Sequence, residues 1–248
     1  MMKKYFVVSD VHSFYDEMMT ALDEAGFDLH NDEHIFISCG DLFDRGPDGV
    51  KCLRFVNDLK DERKILIRGN HEDLLEELLQ RGSYEWYDLH NRTDDTIRQF
   101  SVLLDDQSLS LPKTCKKLQE NEELKKYYAS LEYFHETDKY IFVHGYIPVK
   151  DNGYYVEYDP DWRKASNEVF GEAVWLNGFE MYRQGIREKD KTIVCGHIHS
   201  SYGHYHLHHE GEEFGEDMNS GIFYEDELIG LDACTAYTGK VNVLVLEF

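Results

Sequence analysis

Ile35-Phe36-Ile37-Ser38-Cys39-Gly40-Asp41-Leu42-Phe43-Asp44-Arg45-Gly46 is a short apolar run that passes directly into glycines and charged residues. The apolar part suits a strand buried on both faces, and the polar part begins where that strand would end. Four other segments repeat this arrangement: Tyr5 to Val8 before Asp10-Val11-His12, Ile65 to Ile67 before Gly69-Asn70-His71-Glu72, Tyr140 to Val143 before His144-Gly145, and Ile193 to Cys195 before Gly196-His197-Ile198-His199.

Helical patterns separate the first three of these predicted strands. Apolar residues recur at about the helical period from Phe14 to Ala25, from Val50 to Leu59 and from Leu74 to Leu79. The alternation of strand and helix predicts right-handed crossovers and a largely parallel sheet in an α/β fold.

The spacing of the motifs places their polar residues at one edge of this sheet. Asp41 follows Asp10 by 31 residues and Asn70 follows Asp41 by 29, each about the length of one strand–helix–strand unit. Ligands of open α/β sheets bind at the carboxyl ends of the strands. The sequence therefore predicts that these distant residues converge in space.

The 248 residues are enough for one large α/β domain or two small ones. We predict a single domain over residues 1–248 with a helical insertion at 83–136, although that segment could equally be an ordinary helical layer over the sheet. Residues 200–226 are rich in Gly, His, Glu and Tyr and suggest a long loop or hairpin, and residues 241–247 suggest a final strand.

The composition excludes several classes of protein. The net charge of −23 repels a nucleic-acid backbone, so we expect no nucleic-acid partner. No apolar stretch suits a membrane span, and the apolar run after Lys4 is too short for a secretory signal. The five cysteines show no disulfide or zinc spacing, so we expect a cytoplasmic protein; the oligomeric state stays open.

The motifs supply mixed oxygen and nitrogen donors for two divalent cations. Such donors suit Mn²⁺, Fe²⁺, Zn²⁺ or Co²⁺. We predict seven metal ligands, namely Asp10, His12, Asp41, Asn70, His144, His197 and His199. Asp10 and His12 would bind one ion, Asp41 would bridge, and His199 could return to the first ion. A pair of such ions is typical of enzymes that hydrolyse phosphate esters.

Each ligand also has a simpler interpretation when it is taken alone. Asn70 could cap the following helix, and Asp41 could stabilise a turn. His12 or His144 could be a hydrogen-bonded structural histidine. The occurrence of all seven residues in order at successive strand ends favours the metal site.

This set of motifs resembles the calcineurin-like metallophosphoesterase superfamily. Within it, the chain is most similar to the bacterial and phage branch of the phosphoprotein phosphatases, which includes symmetrical diadenosine tetraphosphate hydrolases. The resemblance spans residues 5–199 and extends to Leu231-Asp232. It implies an αββα sandwich of two mixed β-sheets flanked by helices, and a dinuclear centre in which manganese is the expected metal.

The resemblance also implies catalytic roles for three further residues. His71 would be the general acid that protonates the leaving oxygen, Asp44 would orient it, and Arg45 would bind phosphoryl oxygens. Chemistry supports these roles, because a carboxylate raises the pKa of a neighbouring histidine and a guanidinium matches two phosphate oxygens.

Two features depart from the phosphoprotein phosphatase pattern. The histidine at position 199 is typical of the wider superfamily, so His199 is an additional candidate ligand. The second phosphate-binding arginine expected upstream of His197 is missing near Trp175, and Arg163 and Arg68 are the candidate substitutes.

A third metal site is a separate hypothesis. His204, His206 and His208 alternate and could share one face of a strand, with His209 beside them. Because the segment is acidic, we interpret it as a solvated loop without a metal.

The leading functional hypothesis is a phosphatase that acts on phosphomonoesters, including phosphoserine and phosphothreonine in proteins. The alternative is hydrolysis of a dinucleoside polyphosphate or a phosphodiester at the same site. A scaffold that has lost its chemistry is disfavoured, because the motifs retain the whole set of ligands together with Asp44, Arg45 and His71.

Overall fold

The computed structural model describes residues 3–151, 153 and 155–247. The strands are β1 (Lys4–Val8), β2 (His34–Ser38), β3 (Lys64–Ile67), β4 (Leu131–Glu132), β5 (His135–Glu136), β6 (Tyr140–Phe142), β7 (Val149–Asp151), β8 (Val156–Tyr158), β9 (Thr192–Cys195), β10 (Phe223–Glu225), β11 (Leu228–Gly230) and β12 (Leu244–Glu247). The α-helices are α1 (Tyr15–Glu24), α2 (Gly49–Asp58), α3 (Asn70–Arg81), α4 (Trp86–Asn91), α5 (Thr93–Phe100), α6 (Leu111–Gln119), α7 (Glu122–Ala129), α8 (Asn167–Ala173), α9 (Gly178–Arg183), α10 (Ser200–His206) and α11 (Thr235–Thr238).

The strands form two five-stranded sheets and one separate pair, β7 with β8. The first sheet has the order β12-β1-β2-β3-β4, in which β12 alone runs antiparallel to its neighbour. The second has the order β10-β11-β9-β6-β5, with antiparallel strands at both edges and parallel pairs in the centre. Both sheets are therefore mixed.

Three apolar clusters hold the layers together. The middle cluster joins the inner faces of the sheets, with Val7 and Ile37 from the first sheet and Val194 from the second. A second cluster packs the outer face of the first sheet against helices α1, α2, α3, α5, α6 and α7. The third packs the second sheet against α8 and α9. The predicted αββα sandwich is confirmed.

The segment 83–136 is helical over much of its length and forms part of the layer on the first sheet. Ile97 and Phe100 of α5 are buried in the same cluster as Leu75 of α3. The segment therefore covers the sheet, and α5 also reaches the strand ends that carry the motifs. That residues 1–248 form one domain stays a prediction.

The segment 200–226 differs from the loop or hairpin expected from its composition. Its first part is helix α10, and only its end enters the hairpin of β10 and β11. The helix packs closely on the second sheet's cluster, because a Cβ atom added at Gly203 would lie 2.5 Å from Phe179. Tertiary packing thus overrides a composition that favours loops.

The final strand falls within the predicted range, as β12 lies inside 241–247. Among the helices of the described residues, none is both long enough and apolar enough to cross a membrane.

Candidate metal centre and active site

The motif side chains meet at the carboxyl ends of five strands. Asp10 and His12 follow β1, Asp41 follows β2, and Asn70 begins α3 after β3. In the second sheet, His144 and His197 follow β6 and β9, the two strands that pair at its centre. The site therefore lies where both sheets end on the same side.

The backbone at these strand ends is strained. Non-glycine residues with positive φ cluster here, and they include Asp10 (53°), His12 (51°), Asp41 (55°), Asp44 (71°), Arg45 (62°) and His197 (66°). Residues other than glycine rarely adopt this backbone conformation, and they keep it only where the surrounding structure holds them in place. These residues form sharp turns directly after β1, β2 and β9.

Two groups of candidate ligands share one carboxylate. Ligand atoms of His12, Asp41 and His71 lie within 4.8 Å of one another, and so do those of Asp41, His144 and His197. The side chain of Asp41 is buried, with 3% of its surface exposed. Asp41 is thus the residue that the two groups have in common.

Two of the histidines are held by backbone carbonyls in the orientation that metal binding requires. Nδ1 of His12 donates to the carbonyl of Phe43 at 3.0 Å, and Nδ1 of His144 donates to that of Cys39 at 2.8 Å. Their Nε2 atoms face Asp41, at 3.8 Å for His12 and 3.3 Å for His144. In metal-binding histidines, the ring nitrogen that does not contact the metal typically donates such a hydrogen bond.

Asn70 completes the second group of ligand atoms. Its Oδ1 lies 2.8 Å from Nε2 of His144 and 3.0 Å from Nδ1 of His197. The side chain is buried within α3's first turn, so its oxygen points into the centre and away from solvent.

Asp10 lies at the same centre with its carboxylate held from two sides. Ser9 Oγ donates to its Oδ2 at 2.5 Å, and the backbone N–H of His197 donates to the same oxygen at 3.0 Å. Burial, opposed by His144 and reinforced by the charge of Asp41, raises the pKa of Asp10 to about 6. Gly196 leaves the necessary room, because a Cβ atom there would lie 2.1 Å from Asp10 Oδ2.

The electrostatics of the centre favour bound positive charge. Burial lowers the pKa of His144, but the Asp41 carboxylate outweighs burial and raises it to about 10. Burial and the nearby His144 lower the pKa of His197 to about 4. Because a metal ligand must be neutral, His197 is already in that form near pH 7, whereas His144 would release the proton that it holds against Asp41 when a cation binds. The donor set of carboxylates, imidazoles and an amide oxygen fits Mn²⁺, Fe²⁺, Zn²⁺ or Co²⁺.

A histidine–carboxylate pair adjoins the centre. His71 Nδ1 donates to Asp44 Oδ2 at 2.7 Å, and Nη2 of Arg45 donates to His71 Nε2 at 3.1 Å. Burial works against the charged form of His71, but the Asp41 charge and the hydrogen bond with Asp44 outweigh it and raise its pKa. A histidine that keeps its proton near neutral pH suits a general acid.

Two threonines that the sequence did not suggest hold Asp44 in place. Thr93 donates to Asp44 Oδ2 at 2.8 Å and Thr96 donates to Oδ1 at 2.6 Å. Both lie on α5, 49 and 52 residues from Asp44, so no local pattern connects them with it.

Glu72, the residue after His71 in the third motif, is a further positioning residue. Its buried carboxylate accepts hydrogen bonds from the backbone N–H groups of Asp41 and Leu42, each at 3.0 Å, and of Gly69 at 2.8 Å. Tyr127 adds a fourth bond at 2.9 Å. Glu72 thus ties the Asp41 loop to the loop before α3.

The Leu231-Asp232 segment also reaches the centre. Asp232 is buried, and burial together with the charge of Asp10 raises its pKa well above the usual range. The backbone N–H of Cys234 donates to its Oδ1 at 2.7 Å, and the backbone of Cys234 is left-handed (φ 55°).

His199 faces away from the other candidate ligands. Its Nδ1 lies 2.8 Å from Ser201 Oγ and accepts from the N–H of Tyr202 at 3.2 Å, while its Nε2 lies 3.4 Å from Glu213. The side chain thus caps α10, and neither group around Asp41 contains it among the described residues. The helix start after His197 turns the second histidine of the motif outward.

Both candidate substitutes for the second phosphate-binding arginine are engaged in ion pairs. Arg68 pairs with Asp73 and Glu76, and Arg163 pairs with Glu136 and Glu188. Arg45 is therefore the arginine that the described contacts place beside His71.

Several curated proteins are similar to parts of this chain. "Serine/threonine-protein phosphatase 1" of Salmonella typhimurium is 39% identical over 69 residues, which are 28% of this chain and 30% of that protein. The symmetrical bis(5'-nucleosyl)-tetraphosphatase of Aeromonas hydrophila is 43% identical over 65 residues, 26% of this chain and 23% of that one. The asymmetrical enzyme PrpE of Halalkalibacterium halodurans is 24% identical over 61% of both chains.

These matches leave much of each relative outside the comparison. The chain spans less than a third of the length of the Salmonella and Aeromonas proteins, and less than two thirds of the Halalkalibacterium protein.

Solved structures share the fold over nearly the whole chain. A putative diadenosine tetraphosphatase aligns with a TM-score of 0.51 and 15% identity, covering 99% of this chain and 93% of that one. A cold-active protein-tyrosine phosphatase of a Shewanella species aligns with a TM-score of 0.56 and 17% identity, covering 99% and 76%.

The model of one protein family, described as calcineurin-like phosphoesterase, matches residues 3–228. That range includes all five motifs and every residue of the two ligand groups. The chain belongs to the calcineurin-like phosphoesterase family.

Proposed function

We propose that this protein is a metal-dependent phosphatase that hydrolyses phosphomonoesters, including phosphoserine and phosphothreonine in proteins. The observation that carries the proposal is the position of Asp41, which lies close to His12 and His71 on one side and to His144 and His197 on the other, with His71 paired to the buried Asp44. Two divalent cations, with manganese as the expected metal and iron, zinc or cobalt as alternatives, would stabilise phosphoryl charge and make a bound water more acidic.

The residues of the chain divide the remaining work. Asp10, His12, Asp41, Asn70, His144 and His197 would hold the cations. His71 donates a proton from Nε2 to the leaving oxygen, and Asp44 fixes the imidazole through Nδ1. Nε2 holds that proton once the guanidinium of Arg45 donates to phosphoryl oxygens and no longer to Nε2. Arg45 binds the phosphoryl oxygens next to His71, because its guanidinium lies 3.1 Å from the same Nε2.

The contacts of His199 support a ligand role less well than those of the other six candidates do. We retain it as a seventh candidate, but its contacts with Ser201 and Glu213 support a role in positioning His197 through the start of α10.

A second candidate function is hydrolysis of a dinucleoside polyphosphate. The cleft that contains Arg45 is also lined by Arg92 and Arg98, which share Asp95 as their ion-pair partner. Three guanidinium groups against one carboxylate concentrate positive charge in a chain whose net charge is −23. Such a cleft suits a substrate with further phosphates beyond the one at the metal centre.

An aromatic side chain at the rim also favours a nucleotide. The indole of Trp175 is 49% exposed and lies edge-on to His197, with ring centroids 5.9 Å apart. Aromatic side chains are the platforms on which proteins stack unpaired bases. Tetraphosphate hydrolysis is part of the names of several relatives, which agrees with this candidate.

Side-by-side turnover of three substrates separates these functions. Protein loaded with manganese would be assayed with p-nitrophenyl phosphate, a phosphoserine peptide and diadenosine tetraphosphate. The leading proposal predicts that the two monoesters are hydrolysed faster, and a preference for the tetraphosphate would replace it with the second candidate. No turnover under several metal loadings would support the scaffold alternative.

The arginine cleft has its own test. If it binds further phosphates, Arg92→Gln and Arg98→Gln raise KM for diadenosine tetraphosphate about tenfold and leave KM for p-nitrophenyl phosphate unchanged. Arg183→Gln is the matched control, because Arg183 pairs with Glu180 on α9, three positions away in the sequence, just as Arg92 and Arg98 each lie three positions from Asp95. Equal effects of all three variants would remove the cleft from substrate binding.

A further inference from the structure

A second cluster of side chains with possible ligand atoms for a metal lies outside the centre around Asp41. Helix α10 begins directly after the fifth motif, and His204 lies in its last turn. One ligand atom each from His204, His208 and Glu210 lie within 4.8 Å of one another. The cluster is formed by the end of the helix and the chain that leaves it.

The orientation of His204 leaves one of its nitrogens unsatisfied. His204 is 8% exposed, and its Nε2 lies 3.2 Å from the carbonyl oxygen of Gly221, which can only accept a hydrogen bond. Nε2 therefore carries the hydrogen, and Nδ1 of the neutral ring presents a lone pair.

That lone pair has no hydrogen-bond donor among the described residues, and it is buried. The carboxylate of Glu210 faces it, with Oε2 at 3.7 Å from Nδ1. A nitrogen lone pair opposite a carboxylate oxygen is unfavourable unless a proton or a cation lies between them. The hydrogen bond to Gly221 also matches the way in which proteins orient metal-binding histidines.

A further carboxylate borders the same cluster. Nε2 of His208 lies 2.9 Å from Oε1 of Glu225 on β10. The N–H of Glu210 donates to the carbonyl of His204 at 3.0 Å, which fixes Glu210 beside the helix end. Two imidazoles and a carboxylate, with a second carboxylate behind one of them, are the donors that zinc prefers.

The neighbouring histidine of the same helix is not part of this cluster. His206 lies 3.0 Å from Glu213 and packs against Tyr202, with ring centroids 4.2 Å apart. The helix separates His206 from His204, whereas the strand considered in the hypothesis of a third metal site would have aligned them.

We propose that His204, His208 and Glu210 bind a divalent cation, with zinc as the preferred ion, at a site separate from the centre around Asp41. The ion would join the end of α10 to the segment that leads to β10. Because the site shares no residue with the phosphatase centre, the proposal does not depend on the proposed function.

Zinc binding measured by equilibrium dialysis and elemental analysis tests the proposal. The wild-type chain should bind one zinc ion more than the double variant His208→Gln, Glu210→Gln, whatever the occupancy of the other centre. These two residues are chosen because they are less buried than His204, so that the fold tolerates their replacement. Circular dichroism would establish that the variant is folded.

The control is His206→Gln, which changes a histidine of the same helix that pairs with a carboxylate outside the cluster. It should bind as much zinc as the wild type. Saturating zinc should also raise the Tm of the wild type and of His206→Gln more than that of the double variant. Equal zinc stoichiometry in wild type and double variant would overturn the proposal, as would an equal loss of zinc in the His206→Gln control.

Discussion

Nδ1 of His71 lies 2.7 Å from Oδ2 of Asp44, and both side chains are almost completely buried. The carboxylate also receives the hydroxyl groups of Thr93 and Thr96. The imidazole is therefore held by one fixed carboxylate, and its second nitrogen faces Arg45 at the metal centre. This pair links the helical layer on the first sheet to the chemistry at the strand ends.

Replacement of His71 should remove the general acid. We expect His71→Asn to lower kcat about 100- to 10,000-fold, because the leaving oxygen would depart without a proton. The loss should be greater for phenyl phosphate than for p-nitrophenyl phosphate, since phenolate is the more basic leaving group. Steady-state rates with both substrates measure this difference.

The matched control for His71 is His135→Asn, which changes a histidine whose Nδ1 lies 3.0 Å from the carboxylate of Glu132. His135 is the first residue of β5, and both members of the pair are partly exposed. The His135→Asn substitution should therefore leave the rates unchanged. An equal loss for both aryl phosphates in His71→Asn would contradict the acid role and indicate a loss of metal or of substrate binding.

Loss of the threonine hydroxyls should misplace Asp44. We expect Thr93→Val and Thr96→Val each to lower kcat about tenfold and to reduce the free energy of unfolding by about 1 to 2 kcal/mol, because a buried carboxylate loses a donor. Metal content should be unchanged, since neither threonine is a candidate ligand. Kinetics, denaturant unfolding and elemental analysis would be measured on the same samples.

Thr20→Val serves as the control for the threonines. Thr20 donates to the carbonyl of Asp16 on an exposed face of α1, so its hydroxyl is far less costly to lose. If the variants of Thr93 and Thr96 behaved like Thr20→Val in kcat, Asp44 would not need their hydrogen bonds.

Glu72→Gln should destabilise the whole centre. One amide oxygen cannot replace two carboxylate oxygens that accept four hydrogen bonds, and the new NH₂ group would face backbone donors. We expect a loss of about 2 to 4 kcal/mol in the free energy of unfolding. Glu77→Gln, on the exposed face of the same helix, should change it by less than about 0.5 kcal/mol. Similar denaturation midpoints for the two variants would refute this role of Glu72.

Acid should weaken an ion-pair cluster that supports β5. Hydrogen bonds from Arg163, followed by those from Lys191, lower the pKa of Glu136 to about 2, although burial opposes the shift. Because the pKa is lower in the folded state, the stabilisation is fully present above about pH 4.5, the ordinary glutamate value, and is lost as the pH falls toward 2. After allowance for solvent screening, we expect about 1 to 2 kcal/mol.

The variant Glu136→Gln isolates this contribution. Its Tm should lie below that of the wild type at pH 7, and the difference should shrink as the pH approaches 3. Glu77→Gln should show no such convergence. A constant difference between wild type and Glu136→Gln across this range would show that the effect comes from side-chain packing and not from charge.

The sequence alone was sufficient to predict the order of strands and helices and the grouping of polar residues at the strand ends. Short apolar runs, helical periodicity and motif spacing are local properties, and they led directly to the confirmed αββα sandwich. The same spacing predicted the convergence of Asp41, His144 and His197, because the ends of neighbouring strands in a sheet lie side by side.

Only the tertiary structure decided which side chains support that group and which of its candidate members turn away. Thr93 reaches Asp44 through the packing of α5, and no sequence period reports a contact across 49 residues. The choice of helix over loop after His197 turned His199 toward Ser201 and brought His204 close to His208. That choice depends on burial of α10 against the second sheet, a free energy that arises only when both elements are present.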